Sequence, residues 1–240
     1  MNRNYLKYMW IAGVSILGLT GCDDYLNRES TSGVNTPDLI WQNPKAITAV
    51  LADMYDSGLK LDEFDDWYGS KKANLANQTS LSDEATASYQ KESAFDKSNS
   101  TYSYGDYVFN DDMVTRYKQI RIVNNFLLNI EKTSVLSEDE KEEIGAEARF
   151  IRAMQYFGLV KRYGGVPLQT IPQEYTTGNT QALYQARDTE AATYDFIINE
   201  CKAIYGSLPE VRNSDAKYRA NRGAVLALWS RAALYAGTIA

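Results

Sequence analysis

Residues 146–168 read AEARFIRAMQYFGLVKRYGGVPL. Four basic side chains, a glycine pair and a proline lie within a dense apolar run, so the stretch reads either as an anion-binding loop or as the end of a buried helix. Two features decide between them. Ser137 and Glu140 form an S-x-x-E capping box just upstream, which predicts one helix from Glu138 to Tyr163. On a wheel of that helix, Ile144, Ala146, Phe150, Ile151, Ala153, Met154, Phe157, Gly158 and Val160 span an apolar arc of about 200°, wide enough to pack on two neighbours. Arg149, Arg152, Tyr156 and Tyr163 fall with Glu142 on the remaining face, expected to be polar at its start and aromatic towards its end. A phosphate site wants glycines ahead of a helix, where free N–H groups meet the anion; Gly164 and Gly165 follow one and precede Pro167, the order of a stop signal. The stretch is therefore the end of a buried helix.

Other helices follow outward from this one. Asn43 caps a helix with Pro44 in its first turn, and Ile47, Val50, Leu51 and Met54 share a face up to about Gly58. Asp111 and Asp112 suit a helix N-terminus, and Tyr117, Ile120, Val123, Leu127 and Ile130 form a stripe behind them. Further helices are expected at 188–206 and 221–237, the last dense in alanine and therefore suited to close helix approach. No segment has strand periodicity. The expected fold is all-α, with tetratricopeptide-like antiparallel helix pairs and long irregular loops.

Composition removes several chemistries. The 240-residue chain has no histidine, which excludes Ser/His/Asp and Cys/His catalysis and ordinary zinc sites. Its net charge of −6 repels nucleic acid and anionic membrane. The segment DKSNSTY from Asp96 alternates oxygen donors but lacks the central glycine and terminal glutamate of a calcium loop. The acidic pairs Asp65–Asp66 and Asp83–Glu84 read as solvated loop, not as the carboxylate pair of a glycosidase. Neither a metal, a cofactor nor a catalytic residue is expected.

Export is written at the start. Arg3 and Lys7 precede the apolar run 9–20, about half the length of a membrane span, and LTGC ends at Cys22. The reading is a lipoprotein signal peptide over 1–21, lipidation of Cys22, a polar tether over 22–42 and a helical domain over 43–240. Removing residues 1–21 takes away Arg3 and Lys7 and no acid, leaving −8, so acyl chains and not charge would hold the protein to a membrane. The other cysteine, Cys201, falls in register with Tyr194, Ile197, Ile198, Ile204 and Leu208 and is expected to be a small buried hydrophobe.

Residues 59–110 have no sustained period and carry many aromatics among Asp, Asn and Ser. Sugars present apolar C–H faces that stack on rings while such polar neighbours bind the hydroxyls. Trp67, Tyr68, Tyr102, Tyr104 and Tyr107 are the candidate glycan-stacking residues.

Four ordered pieces resemble the SusD/RagB family of nutrient-uptake outer-membrane lipoproteins of Bacteroidota: LTGCDDYLN, YKQIRIVNNFLLNI, the stretch 146–168 and RGAVLALWSRAALYAG. The third is the most specific. The resemblance implies a lipid-anchored, cell-surface helical protein that captures glycans, or in some members peptides, for a SusC-like TonB-dependent transporter, and that binds without cleaving. It also implies that Asp23 and Asp24 act as a surface-export signal. Met113 stands where the family usually has Trp, and family members run to about twice this length, so the chain reads as an N-terminal part. A helical protein–protein scaffold of the outer membrane without carbohydrate binding is the alternative.

Overall fold

The computed structural model describes residues 37–59, 112–175, 178 and 180–239. The chain divides into two units, residues 1–40 and 41–240. Within the first, the described part is a single short helix, α1 (Pro37–Ile40).

The second unit is helical throughout its described residues: α2 (Pro44–Gly58), α3 (Asp112–Ile130), α4 (Glu138–Tyr163), α5 (Glu190–Ile204) and α6 (Arg222–Ala236), with two 3-10 turns at Thr180–Leu183 and Ser214–Ala216. The predicted start signals of α2 and α4 do their local work. The Asn43 side chain accepts from the Lys45 N–H with Pro44 in the first turn. Ser137 accepts from the Glu140 N–H, and the Glu140 carboxylate takes the Ser137 N–H at 2.8 Å, closing the capping box. These bonds hold the Glu140 carboxyl below its usual range. Thr189 and Asn221 cap α5 and α6 in the same way.

The helices pair as antiparallel hairpins around α4, which touches α2, α3, α5 and α6. Two neighbours were expected and four are present, because α4 feeds two apolar clusters at once. Ile144, Ala148 and Ile151 join Ile47, Leu51, Met54, Val123, Phe126 and Ile130. Phe150, Phe157 and Leu159 join Tyr194, Ile197, Cys201, Val225 and Leu228. Each fully buried Ile or Leu here is worth about 1.5–3 kcal/mol of transfer free energy.

Details of the expected stripes change. On α3, Phe126 is only 2% exposed and packs edge-on against Trp41, with centroids 5.5 Å apart, while Leu127 is half-buried. Two neighbours, α2 and α4, rotate the buried arc of α3 beyond a one-sided stripe. On α6, Ala232 is buried but Ala227 and Ala233 are exposed, since that helix has a neighbour along one side and contacts only α5 extensively among the described elements. Cys201 is buried as expected, and burial, with Glu200 adding, pushes its thiol up to about 12.

Candidate functional site

The exit of α4 builds one wall of a cleft. Gly164, at φ 69° and ψ −146°, occupies a conformation open essentially to glycine alone, and a Cβ on Gly165 would lie 2.0 Å from the Asp188 carbonyl oxygen. The pair lets the chain leave the helix and run against residues 187–190. There Arg187 donates to the Gly165 carbonyl, Asp188 takes the Leu168 N–H at 2.9 Å, and the Asp188 N–H reaches the Val166 carbonyl. The extended strap of residues 166–173 follows, and its backbone is satisfied by side chains of the helices. Tyr117 donates to the Pro167 carbonyl at 2.8 Å and Asn124 to the Gln169 carbonyl at 3.0 Å. Tyr156 both donates to the Gln169 carbonyl at 3.0 Å and accepts the Gln169 N–H at 2.6 Å.

Behind the strap is a buried ion network that the sequence reading missed. Arg149, Arg152 and Tyr156, placed on a polar face, are drawn inward: Arg152 is 6% and Tyr156 0% exposed. The cause is Glu200 on α5. It receives Arg152 at 2.8 Å and a forked pair of bonds from Arg149 at 2.8 and 3.2 Å. Burial alone would raise the Glu200 carboxyl, but the two guanidiniums outweigh it and hold the carboxyl below its usual range. Arg152 also donates to Asn124 at 2.8 Å and to the Thr170 carbonyl at 3.2 Å. A continuous chain therefore runs from Glu200 through Arg152 and Asn124 to the strap. Burial pushes the Tyr156 phenol up to about 12, so it bonds the strap as a neutral hydroxyl.

Between α3 and the strap lies a cleft of about 450 Å³, within the size range of small-ligand sites. Its helical side carries Met113, Val114 and Tyr117, then Lys118, Arg121 and Asn124; its strap side carries Gln169, Ile171, Pro172 and Gln173. Apolar and amide groups thus face two cations across a floor fixed by the network. The sequence signal that would have pointed here was the pairing of Tyr117 and Asn124 with the segment after the glycines, but such contacts are forty-five to fifty residues apart in the chain.

A second buried centre closes the other end of α4. Glu147, fully buried, accepts from Tyr55 at 2.7 Å, from Arg219 at 2.8 and 2.5 Å, and meets Arg212 at 2.9 Å, so each lone-pair position of the carboxylate is used. Burial, reinforced by Glu147, raises the Tyr55 phenol far above its ordinary value. None of these residues lines the cleft beside α3.

Cys22, Trp67, Tyr68, Tyr102, Tyr104 and Tyr107 lie outside the described residues, as do Asp65, Asp66, Asp83, Glu84 and Asp96. Among the described residues no helix is long and apolar enough to cross a membrane.

Solved structures resemble this fold. A SusD-like protein from Bacteroides fragilis is 28% identical, with a TM-score of 0.61, over 83% of this chain and 36% of its own. A laminarin-binding SusD-like protein, 22% identical, has a TM-score of 0.65 over 82% of this chain and 41% of its own. Surface glycan-binding protein A from Bacteroides fluxus, 21% identical, has a TM-score of 0.58 over 81% and 40%. The last two likenesses concern the fold alone. The chain spans less than half the length of each of these proteins. No curated protein sequence matches it significantly. A family model described as SusD-like, starch-binding and associating with the outer membrane, matches residues 24–234, and with the helical pairs built around the 146–168 stretch this establishes that the chain belongs to the SusD-like family.

Proposed function

We propose that the protein is a cell-surface glycan-binding lipoprotein, anchored through acyl chains on Cys22, that captures oligo- or polysaccharide for import by a SusC-like TonB-dependent transporter, and that it binds without cleaving. Family membership is the observation that carries the reading. The cleft between α3 and the strap supports it, because apolar rings and aliphatic groups beside fixed amides suit a sugar's C–H face and hydroxyls. In this reading Trp67, Tyr68, Tyr102, Tyr104 and Tyr107 supply stacking surface, residues 1–21 are the removed signal peptide, 22–42 the tether, and 43–240 the binding domain.

Affinity electrophoresis on a panel of polysaccharides tests it. Retardation by at least one glycan, weakened by Trp67→Ala, is the expected result. Migration unaffected by every glycan, together with co-purification of a SusC-like partner, would assign the protein to scaffolding instead.

A further inference from the structure

We infer that the cleft between α3 and the strap selects acidic saccharides, those bearing carboxylates or sulfate esters, over neutral ones. The inference rests on the glycan-binding reading and names the ligand class of that site.

The distribution of charge carries it. Acidic residues outnumber basic ones in the chain, 31 against 25, yet none of the residues lining the cleft is acidic. Lys118 and Arg121 are one helical turn apart on the same wall, both exposed, and among the described residues neither has an acidic partner. Four other arginines face carboxylates: Arg149 and Arg152 share Glu200, Arg212 and Arg219 share Glu147, and Arg212 also meets Glu143. In sequence, acidic residues flank the lining at both ends, Asp112 directly before Met113 and Glu174 directly after Gln173, and Glu174 is engaged in an interaction of its own. A chain of net negative charge thus presents a concave cationic spot here, where field lines concentrate and the neighbouring apolar wall limits solvent screening.

The uncharged groups narrow the class from anions in general to sugar acids. Tyr117, Ile171 and Pro172 offer flat or aliphatic surface to a pyranose face. Gln169 and Gln173, joined by a 3.2 Å bond from Nε2 to Oε1, retain amide donors and acceptors for hydroxyls. Arg121 can grip a carboxylate or sulfate with two parallel N–H bonds, with Lys118 as a point charge beside it. Because the network from Glu200 fixes Asn124 and the strap, these groups are pre-positioned and need little ordering on binding.

The test uses the full chain and four probes in affinity electrophoresis: dextran, dextran sulfate, polygalacturonate and poly-L-glutamate. Dextran sulfate or polygalacturonate is expected to retard the protein more than dextran does, and the stronger of the two identifies sulfate or carboxylate as the recognised group. Replacing both cations, Lys118→Gln with Arg121→Gln, should weaken that retention about tenfold while leaving the far-UV circular dichroism unchanged, since both side chains are exposed. Raising salt towards about 1 M, where the Debye length is about 3 Å, should have a similar effect. Retention of dextran and of the acidic polysaccharides to the same extent, unaffected by the double substitution, would overturn acidic selectivity and leave the glycan reading standing. Equal retention by poly-L-glutamate would overturn the saccharide class, and no retention by any probe would overturn both the selectivity and the cleft as its seat.

Discussion

Glu147 and Glu200 are both buried carboxylates that meet two arginines against α4, yet they serve different parts of the molecule. Glu147 belongs to α4 and draws its partners from far along the chain, Tyr55 on α2 and the arginines at 212 and 219. It stitches the fold shut, and its lone pairs are spent there. Glu200 comes to α4 from α5, and its partner Arg152 has bonds left for Asn124 and the strap. The first centre ends in itself; the second passes its geometry on to a cleft wall. The same chemistry thus becomes scaffold or site support according to where the arginine's remaining donors go: those of Arg212 reach Glu143 and the Ala220 carbonyl, those of Arg152 reach Asn124 and the strap.

Glu147→Gln should break the comparison most heavily, because it removes a fully buried carboxylate from Tyr55 and Arg219 and leaves the Arg212 guanidinium with Glu143 alone. A loss of about 3–5 kcal/mol is expected from urea unfolding, with any residual glycan retention of the folded fraction unchanged in selectivity. Gly165→Ala comes next. Its new Cβ would collide with backbone at residues 188–190 and not with a movable side chain tip, so about 3 kcal/mol is expected, together with weaker retention as the root of the strap shifts. Glu200→Gln should cost less, about 2 kcal/mol at neutral pH, since Arg149 is one-third exposed and can turn to solvent. Here pH sharpens the contrast. The Glu200 carboxyl is held below its unfolded value, so its contribution is full above about pH 4.3 and is lost as pH falls through the folded value. The stability gap between the native chain and Glu200→Gln should therefore narrow on acidification when both are unfolded in urea at neutral and acid pH.

Much of this architecture was legible because its signals are local. The limits of α4 were readable from Ser137, Glu140 and Gly164, and those of α2 from Asn43 and Pro44, since capping is decided within one helical turn. The helices expected at 188–206 and 221–237 run from Glu190 to Ile204 and Arg222 to Ala236, shortened where caps replace helical turns. What was not legible depends on distant partners. A helical wheel assigns Arg152 to solvent because it cannot contain Glu200, forty-eight residues away. Nor can it foresee Gly158, which looks like a weak point of α4 until the Arg116 guanidinium is seen lying where a Cβ would be, 2.1 Å from its Nη1. The cleft shares this property, for its two walls belong to segments about fifty residues apart.

Tyr156 offers a last consequence. Its hydroxyl takes the amide hydrogen and caps the carbonyl oxygen of the same residue, Gln169. In a sheet that pair of bonds comes from a neighbouring strand. One phenol standing on a helix thus performs the office of a missing β-strand, letting an extended segment lie against a purely helical body with its peptide groups satisfied. A phenylalanine would fill the same volume and forfeit that office.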